Sequence, residues 1–388
     1  MAIYFYSLLA TLIMGCISDV AYKKNNISKN RGWQAFFISL PLATVAGLRT
    51  IDIGTDIQVY GRGAFKAATS SQSMLSYITA MDARYGIEHG YDILNFLVSR
   101  FTDNINIFLF ILSLVTLIPF VLGALSFRRT FSIPIWIQLG VFWGLNYGGT
   151  LNIMRQSVSM SIVYLAVAIL LSKRGHNVRN YFLLLILAFE FHRTAVIAII
   201  FFIIFEYVEV GMVKVKLSVR LPALILSISS VAIIGAILIK KLANTGFLSK
   251  YQSYTDGSNW LVQTSYGWGR ILLLSIGALL VAVLFGFYLY LSTNKIFKKY
   301  VVFLLLVLII DIATQFSASS GKLFTRLGLY FGIFEAISLP LGMNVLFNKR
   351  IKIVGYLIVL GYVIFVFFTV TKSGSGEIYP YQWILNLG

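Results

Sequence analysis

The sequence predicts an all-α, polytopic transmembrane helix bundle of about eleven or twelve spanning or half-spanning segments, with an extracytoplasmic region of loops and an amphipathic helix. Three observations carry this. The 388 residues are 58% hydrophobic and only 12% charged, whereas soluble domains carry roughly a quarter charged residues. Apolar runs of bilayer length recur along the whole chain. Between them the basic residues fall in short clusters, the way membrane proteins set their topology. The formal charge of +18 is therefore not the single basic patch that a nucleic-acid binder shows, and no nucleic-acid partner is expected.

The runs lie near residues 3–20, 33–48, 104–126, 132–148, 151–172, 181–207, 217–239, 271–292, 300–316, 323–346 and 353–371. Each reads as a helix because membrane-embedded backbone must satisfy its own hydrogen bonds. The run 181–207 is long enough for one helix, but Glu190, His192 and Arg193 interrupt its middle, so a pair of short helices folded back from the membrane interior is expected. Charge agrees. Lys23, Lys24, Lys29 and Arg31, then Arg128 and Arg129, Lys173, Arg174 and Arg179, Lys214, Lys216 and Arg220, Lys295, Lys298 and Lys299, and Lys349, Arg350 and Lys352 all reach the cytoplasmic side only if 181–207 is a hairpin. Both termini then face outward. Ile3–Ile17 lacks a basic flank and a small-residue cleavage site and reads as a retained span.

With six prolines, no Pro- or Ser-rich linker and no internal repeat, residues 1–388 read as one integral membrane domain. Its outward segments are 49–101, with an interfacial helix whose apolar residues run from Ile93 to Phe101, and 240–270. Cys16, the single cysteine, excludes an internal disulfide and a multi-cysteine metal site, and is assigned to packing.

Four stretches carry chemistry. GLRTIDIGTDIQVY brings Arg49, Asp52, Asp56 and Tyr60 to the outer interface, with Gly54 placed for a tight turn. EHGYDILNFL adds Glu88, His89, Tyr91 and Asp92 to the same compartment. In LNIMRQSVSM, helical spacing puts Asn152, Arg155 and Ser159 on one face beside Gln156. An arginine at that depth needs an anion, either a phosphate or an internal carboxylate such as Asp52 or Glu190. FEFHRTA sets Glu190, His192 and Arg193 within one turn, where the histidine is either a packing residue or a proton acceptor. In the late spans, Arg326 and Tyr330 are one turn apart. No phosphate-binding glycine loop, zinc-binding histidine pair or GxSxG elbow is present, so neither ATP hydrolysis nor a metal centre is expected.

Taken together, GLRTIDIGTDIQVY, EHGYDILNFL, LNIMRQSVSMSI, FEFHRTAVIAI and the late helix bearing Arg326 make the chain resemble the EpsG-like family of Wzy-type bacterial polysaccharide polymerases. The resemblance implies an inner-membrane glycosyltransferase that joins lipid-linked repeat units of O-antigen, capsule or exopolysaccharide on the extracytoplasmic side. It implies undecaprenyl-diphosphate-linked donor and acceptor, no cofactor or nucleotide sugar, and a chain-length regulator as a possible partner. On that reading Arg49, Arg155, Arg193 and Arg326, with Asn152, Gln156, Tyr60 and Tyr330, bind the diphosphate and sugar. His192, Glu190 or Asp56 takes the acceptor proton, with His192 ranked first. The rival readings are a flippase for the same lipid-linked sugars, an O-antigen ligase and a membrane acyltransferase.

Overall fold

The computed structural model describes residues 1–25, 30–85, 88–172, 177–211, 268–317, 322–348 and 350–384. Among them the structure is a polytopic bundle of helices with no strand beyond a single isolated bridge between Arg49 and Trp383. Among the described residues, five helices are long and apolar enough to cross a membrane, or six if one pair bent by 49° is a single span. The span expected at 217–239 and the aromatic loop up to residue 267 lie outside the described residues.

The chain forms two compact units, Met1–Ala198 with Ile333–Gly388, and Ile199–Gly332. In the first, α1 (Ala2–Asn25), α2 (Arg31–Gly47) and α6 (Ile105–Phe131) coincide with predicted spans. Asn104 caps α6 by accepting from the Asn106 amide, and Ser132 in the left-handed conformation ends it beyond Arg128 and Arg129. Then α7 (Ile135–Phe142) runs on through a π-turn, Trp143–Tyr147, to a last turn at Gly148–Thr150. Next come α8 (Met154–Leu170) and α9 (Asn177–Phe191).

Side-chain size decides how closely these helices approach. A Cβ on Gly47 would stand 2.8 Å from the Phe110 Cβ, so α2 and α6 pack through a residue without one. The core holds stacked rings, with Phe120 at 3.9 Å from Phe142 and 4.8 Å from Tyr164 between centroids. Across it, α14 (Glu335–Leu346) contributes Phe334 at its start, 5.2 Å from Tyr164, and α15 (Lys352–Lys372) closes this unit.

Segment 49–101, expected as a loop with one interfacial helix, contains a π-turn (Ile57–Gly61) and three short helices, α3 (Arg62–Ser70), α4 (Met74–Tyr85) and α5 (His89–Ser99). The first two are too short and polar to register as apolar runs. In the last, Tyr91, Asp92, Asn95, Phe96 and Val98 are buried while Ile93 and Leu97 are exposed.

The break in 181–207 falls at His192. There α9 ends at Phe191 and a 3₁₀ segment, Arg193–Ala198, follows. The Tyr181 hydroxyl donates to the Ala198 carbonyl, 17 residues on, so the chain turns back at His192 instead of continuing straight. Cys16 is exposed on α1, outside the packed interior, which corrects its assignment to packing.

The second unit contains α10 (Ile199–Gly211), α11 (Trp268–Leu291), α12 (Lys295–Phe316) and α13 (Lys322–Gly332). Inside it the buried Asp311 accepts from Gln315 Nε2 at 3.0 Å, and Gln315 Oε1 accepts from Ser275 at 2.9 Å. A carboxylate among apolar helices thus has polar neighbours close by.

Candidate active site

The site grows from the turn that leaves α2. Gly54 has φ +93, and a Cβ on it would stand 2.6 Å from the Leu151 carbonyl oxygen, so only glycine fits both the backbone and the space. That turn lies against the start of α8. Asn152 Oδ1 accepts from the Thr55 amide at 2.9 Å and the Asp56 amide at 3.4 Å. The predicted shared face of Asn152, Arg155 and Ser159 is corrected here: Asn152 precedes the helix, which begins at Met154, because its side chain is bonded back to the turn.

Asp56 is likewise held by the protein. Its Oδ2 accepts from the Met154 amide at 3.2 Å and from the Tyr60 hydroxyl. Burial first, and then the Asp56 charge, push the Tyr60 hydroxyl well above its ordinary value, so it remains a donor. The Tyr60 ring in turn lies under the Arg155 guanidinium, 3.9 Å from its carbon, with Tyr91 at 5.7 Å.

The anion that Arg155 requires is Glu88, one turn before Asp92 and neither of the two carboxylates suggested by sequence. Glu88 is 3% exposed and sits between two partners. One oxygen meets Arg155 Nη1, and the other lies 2.7 Å from Nδ1 of His192. His192 is buried, and its Nε2 makes no hydrogen bond to any described residue. Residues 104 apart in sequence thus form an Arg–Glu–His chain.

Glu190 points elsewhere. Its carboxylate is 42% exposed and lies 3.5 Å from His89 Nδ1, while His89 Nε2 lies 3.3 Å from Asp82. Glu190 and His192, two residues apart at the end of α9, point in different directions, as helical spacing itself would have them, and each finds its own partner. Arg193 opens the 3₁₀ segment and is half-buried; Gln156 is buried next to Arg155. Arg49 is 2% exposed and donates to the Leu151 carbonyl, with Met154 Sδ at 3.8 Å. It fastens the turn to α8. Arg326 and Tyr330 stand on α13 in the second unit.

Two residues of this cluster were outside the predicted catalytic set, Glu88 and Asp92. Asp92 is buried, and burial, opposed by Arg155 and reinforced by Asp82 and Glu88, pushes its carboxyl up to about 7. Among the described residues, no group of three or more His, Cys, Asp or Glu side chains could hold a metal ion.

A histidine with one ring nitrogen fixed on a carboxylate and the other available is the arrangement of a proton acceptor. In a comparison with protein families, residues 32–383 match the EpsG family model. The chain belongs to the EpsG family. Neither the curated proteins nor the solved structures contain a match. EpsG is a polysaccharide-polymerase-type family, and this multi-pass EpsG chain keeps its quoted motifs within one unit, apart from the late helix.

Proposed function

We propose that this EpsG-family protein is a glycosyltransferase of the bacterial inner membrane that polymerises undecaprenyl-diphosphate-linked oligosaccharide repeat units on the extracytoplasmic side. The observation that supports it most is Glu88 held between Arg155 and His192 with His192 Nε2 left over. In the proposed step, Nε2 takes the proton of the acceptor sugar hydroxyl as its oxygen bonds to the anomeric carbon of the donor. The bond from that carbon to the diphosphate oxygen breaks, and the lipid diphosphate leaves with the electron pair. Glu88 keeps the imidazole in the tautomer that exposes Nε2 and stabilises the imidazolium that forms.

Arg155 holds Glu88 in place, Arg49 holds the turn, and Arg193, adjacent to His192 and half-buried, is the cation assigned to the diphosphate. Asn152 and Asp56, both half-exposed, are assigned to sugar hydroxyls.

The experiment is gel profiling of surface polysaccharide from a strain lacking the protein, complemented with wild type or His192→Ala. Expected is a ladder with wild type and single capped repeats with the variant at equal protein level. Loss of every repeat in the deletion strain, the single one included, would point to export or ligation instead.

A further inference from the structure

Residues 373–384 follow the last helix of the first unit and lie across the turn that carries Asp56. The contacts are many and specific. The Glu377 carbonyl accepts from the Gly54 amide at 3.3 Å, and Glu377 Oε2 accepts from the Thr55 hydroxyl at 2.5 Å. Farther along, Thr50 N donates to the Gln382 carbonyl at 3.0 Å, Ile384 N donates to the Leu48 carbonyl at 3.1 Å, and Trp383 bridges to Arg49. The strap is itself anchored by Tyr4, whose hydroxyl donates to the Ile378 carbonyl at 2.7 Å, and by Tyr381, which donates to the Val45 carbonyl at 2.7 Å.

We propose that this C-terminal strap is a positioning element for the active site, acting through Glu377. This rests on the polymerase reading above. The path is an unbroken series of direct contacts. Glu377 holds Gly54 and Thr55, the next residue Asp56 holds Tyr60, the Tyr60 ring lies under Arg155, and Arg155 pairs with Glu88 beside His192. Gly54 lies close against the approach to α8, since a Cβ on it would stand 2.6 Å from the Leu151 carbonyl oxygen. A shift of the turn therefore moves the groups beneath Arg155.

Glu377 suits a test because its side chain is exposed, so replacing it opens no cavity and strands no buried group. It also has φ 54, a conformation that glycine adopts without strain. Glu377→Gly keeps the backbone and removes the grip on Thr55. Glu377→Gln keeps an oxygen that accepts from the Thr55 hydroxyl.

Full-length protein in proteoliposomes, supplied with a lipid-diphosphate-linked oligosaccharide, gives kcat and KM for chain growth. Amide hydrogen exchange on the same samples reports residues 50–56. For Glu377→Gly, kcat is expected to fall about tenfold with little change in KM, and exchange at Gly54 and Thr55 to accelerate. Glu377→Gln restores kcat to within about threefold, and Thr55→Val combined with Glu377→Gly adds no further loss. Wild-type kcat in Glu377→Gly, unchanged exchange at 50–56, or additive losses in the double variant would overturn the proposal. A wild-type protein that shows no chain growth would sink the polymerase reading; faster exchange in Glu377→Gly would then still support the grip of the strap on the turn.

Discussion

Among the described residues of the first unit, two buried arginine–carboxylate pairs are built for different ends. Asp19 and Arg128 are 3.0 Å apart, and Asp19 also accepts from the Ile135 and Trp136 amides, capping α7. The same Arg128 Nη1 also donates to the Ser18 carbonyl and hydroxyl, both at 3.2 Å, and the guanidinium stacks on Tyr22 at 4.2 Å. Every partner there is structural. Glu88 and Arg155 make an equally buried pair, but the third member is an imidazole with one nitrogen uncommitted. A buried ion pair costs desolvation in either place, so its presence alone indicates nothing about catalysis. What separates a staple from a working group is a titratable atom left over once the internal bonds are made.

The largest expected effect tests that separation directly. Glu88→Gln keeps the shape of the side chain but removes the charge that supports an imidazolium, and chain growth per folded molecule should fall at least about a hundredfold, beyond the stability lost when Arg155 is left without its counter-charge. Asp19→Asn should cost stability alone. It leaves Arg128 buried without its counter-charge, at a cost of about 3 kcal/mol, seen as a lower thermal midpoint in detergent and less protein in the membrane, while turnover per folded molecule persists. If both variants lose stability and neither loses turnover, the pairs are the same kind of device.

A smaller effect is expected at Gly54. Alanine there must hold φ near +93 and meet the Leu151 carbonyl, so the turn moves away from α8. We expect roughly tenfold slower chain growth and about 1–2 kcal/mol of lost stability. The same substitution at Gly286, where a Cβ meets nothing within 4 Å, should leave both near wild type.

The difference between the two pairs also shows what can be read from one sequence. Spans were legible because a bilayer imposes length and apolarity, and the break at His192 was legible because Glu190, His192 and Arg193 cannot sit in the middle of a lipid-facing helix. His192 and Arg155 stood out for the same reason. Their common partner did not. Glu88 comes from the segment that opens α5, 104 residues from His192, and no local periodicity predicts which of several carboxylates closes such a distance. The nearest one in sequence, Glu190, was the natural choice and faces His89 instead. Short polar helices such as α3 and α4, and the strap at 373–384, escaped for a related reason: tertiary contacts, not apolar runs, hold them.

Two weaker substitutions sharpen the boundary of the site. Asp92 has a carboxyl raised from its ordinary 3.8 to about 7, chiefly by burial. The folded state therefore binds a proton that the unfolded state has released between those values, so this group's contribution to stability falls as pH rises from 3.8 to about 7 and is level above. Thermal midpoints in detergent across that range should decline in wild type, and Asp92→Asn should flatten that part of the curve. Glu190→Gln is expected to do least. Its carboxylate is 42% exposed and its contact with His89 is 3.5 Å, an exposed pair of the kind worth about 0–1 kcal/mol. Chain growth within about threefold of wild type follows if Glu88 alone supports His192. A loss as deep as that of Glu88→Gln would mean that the acid two residues from the histidine, and not the one bonded to it in the folded chain, serves the reaction.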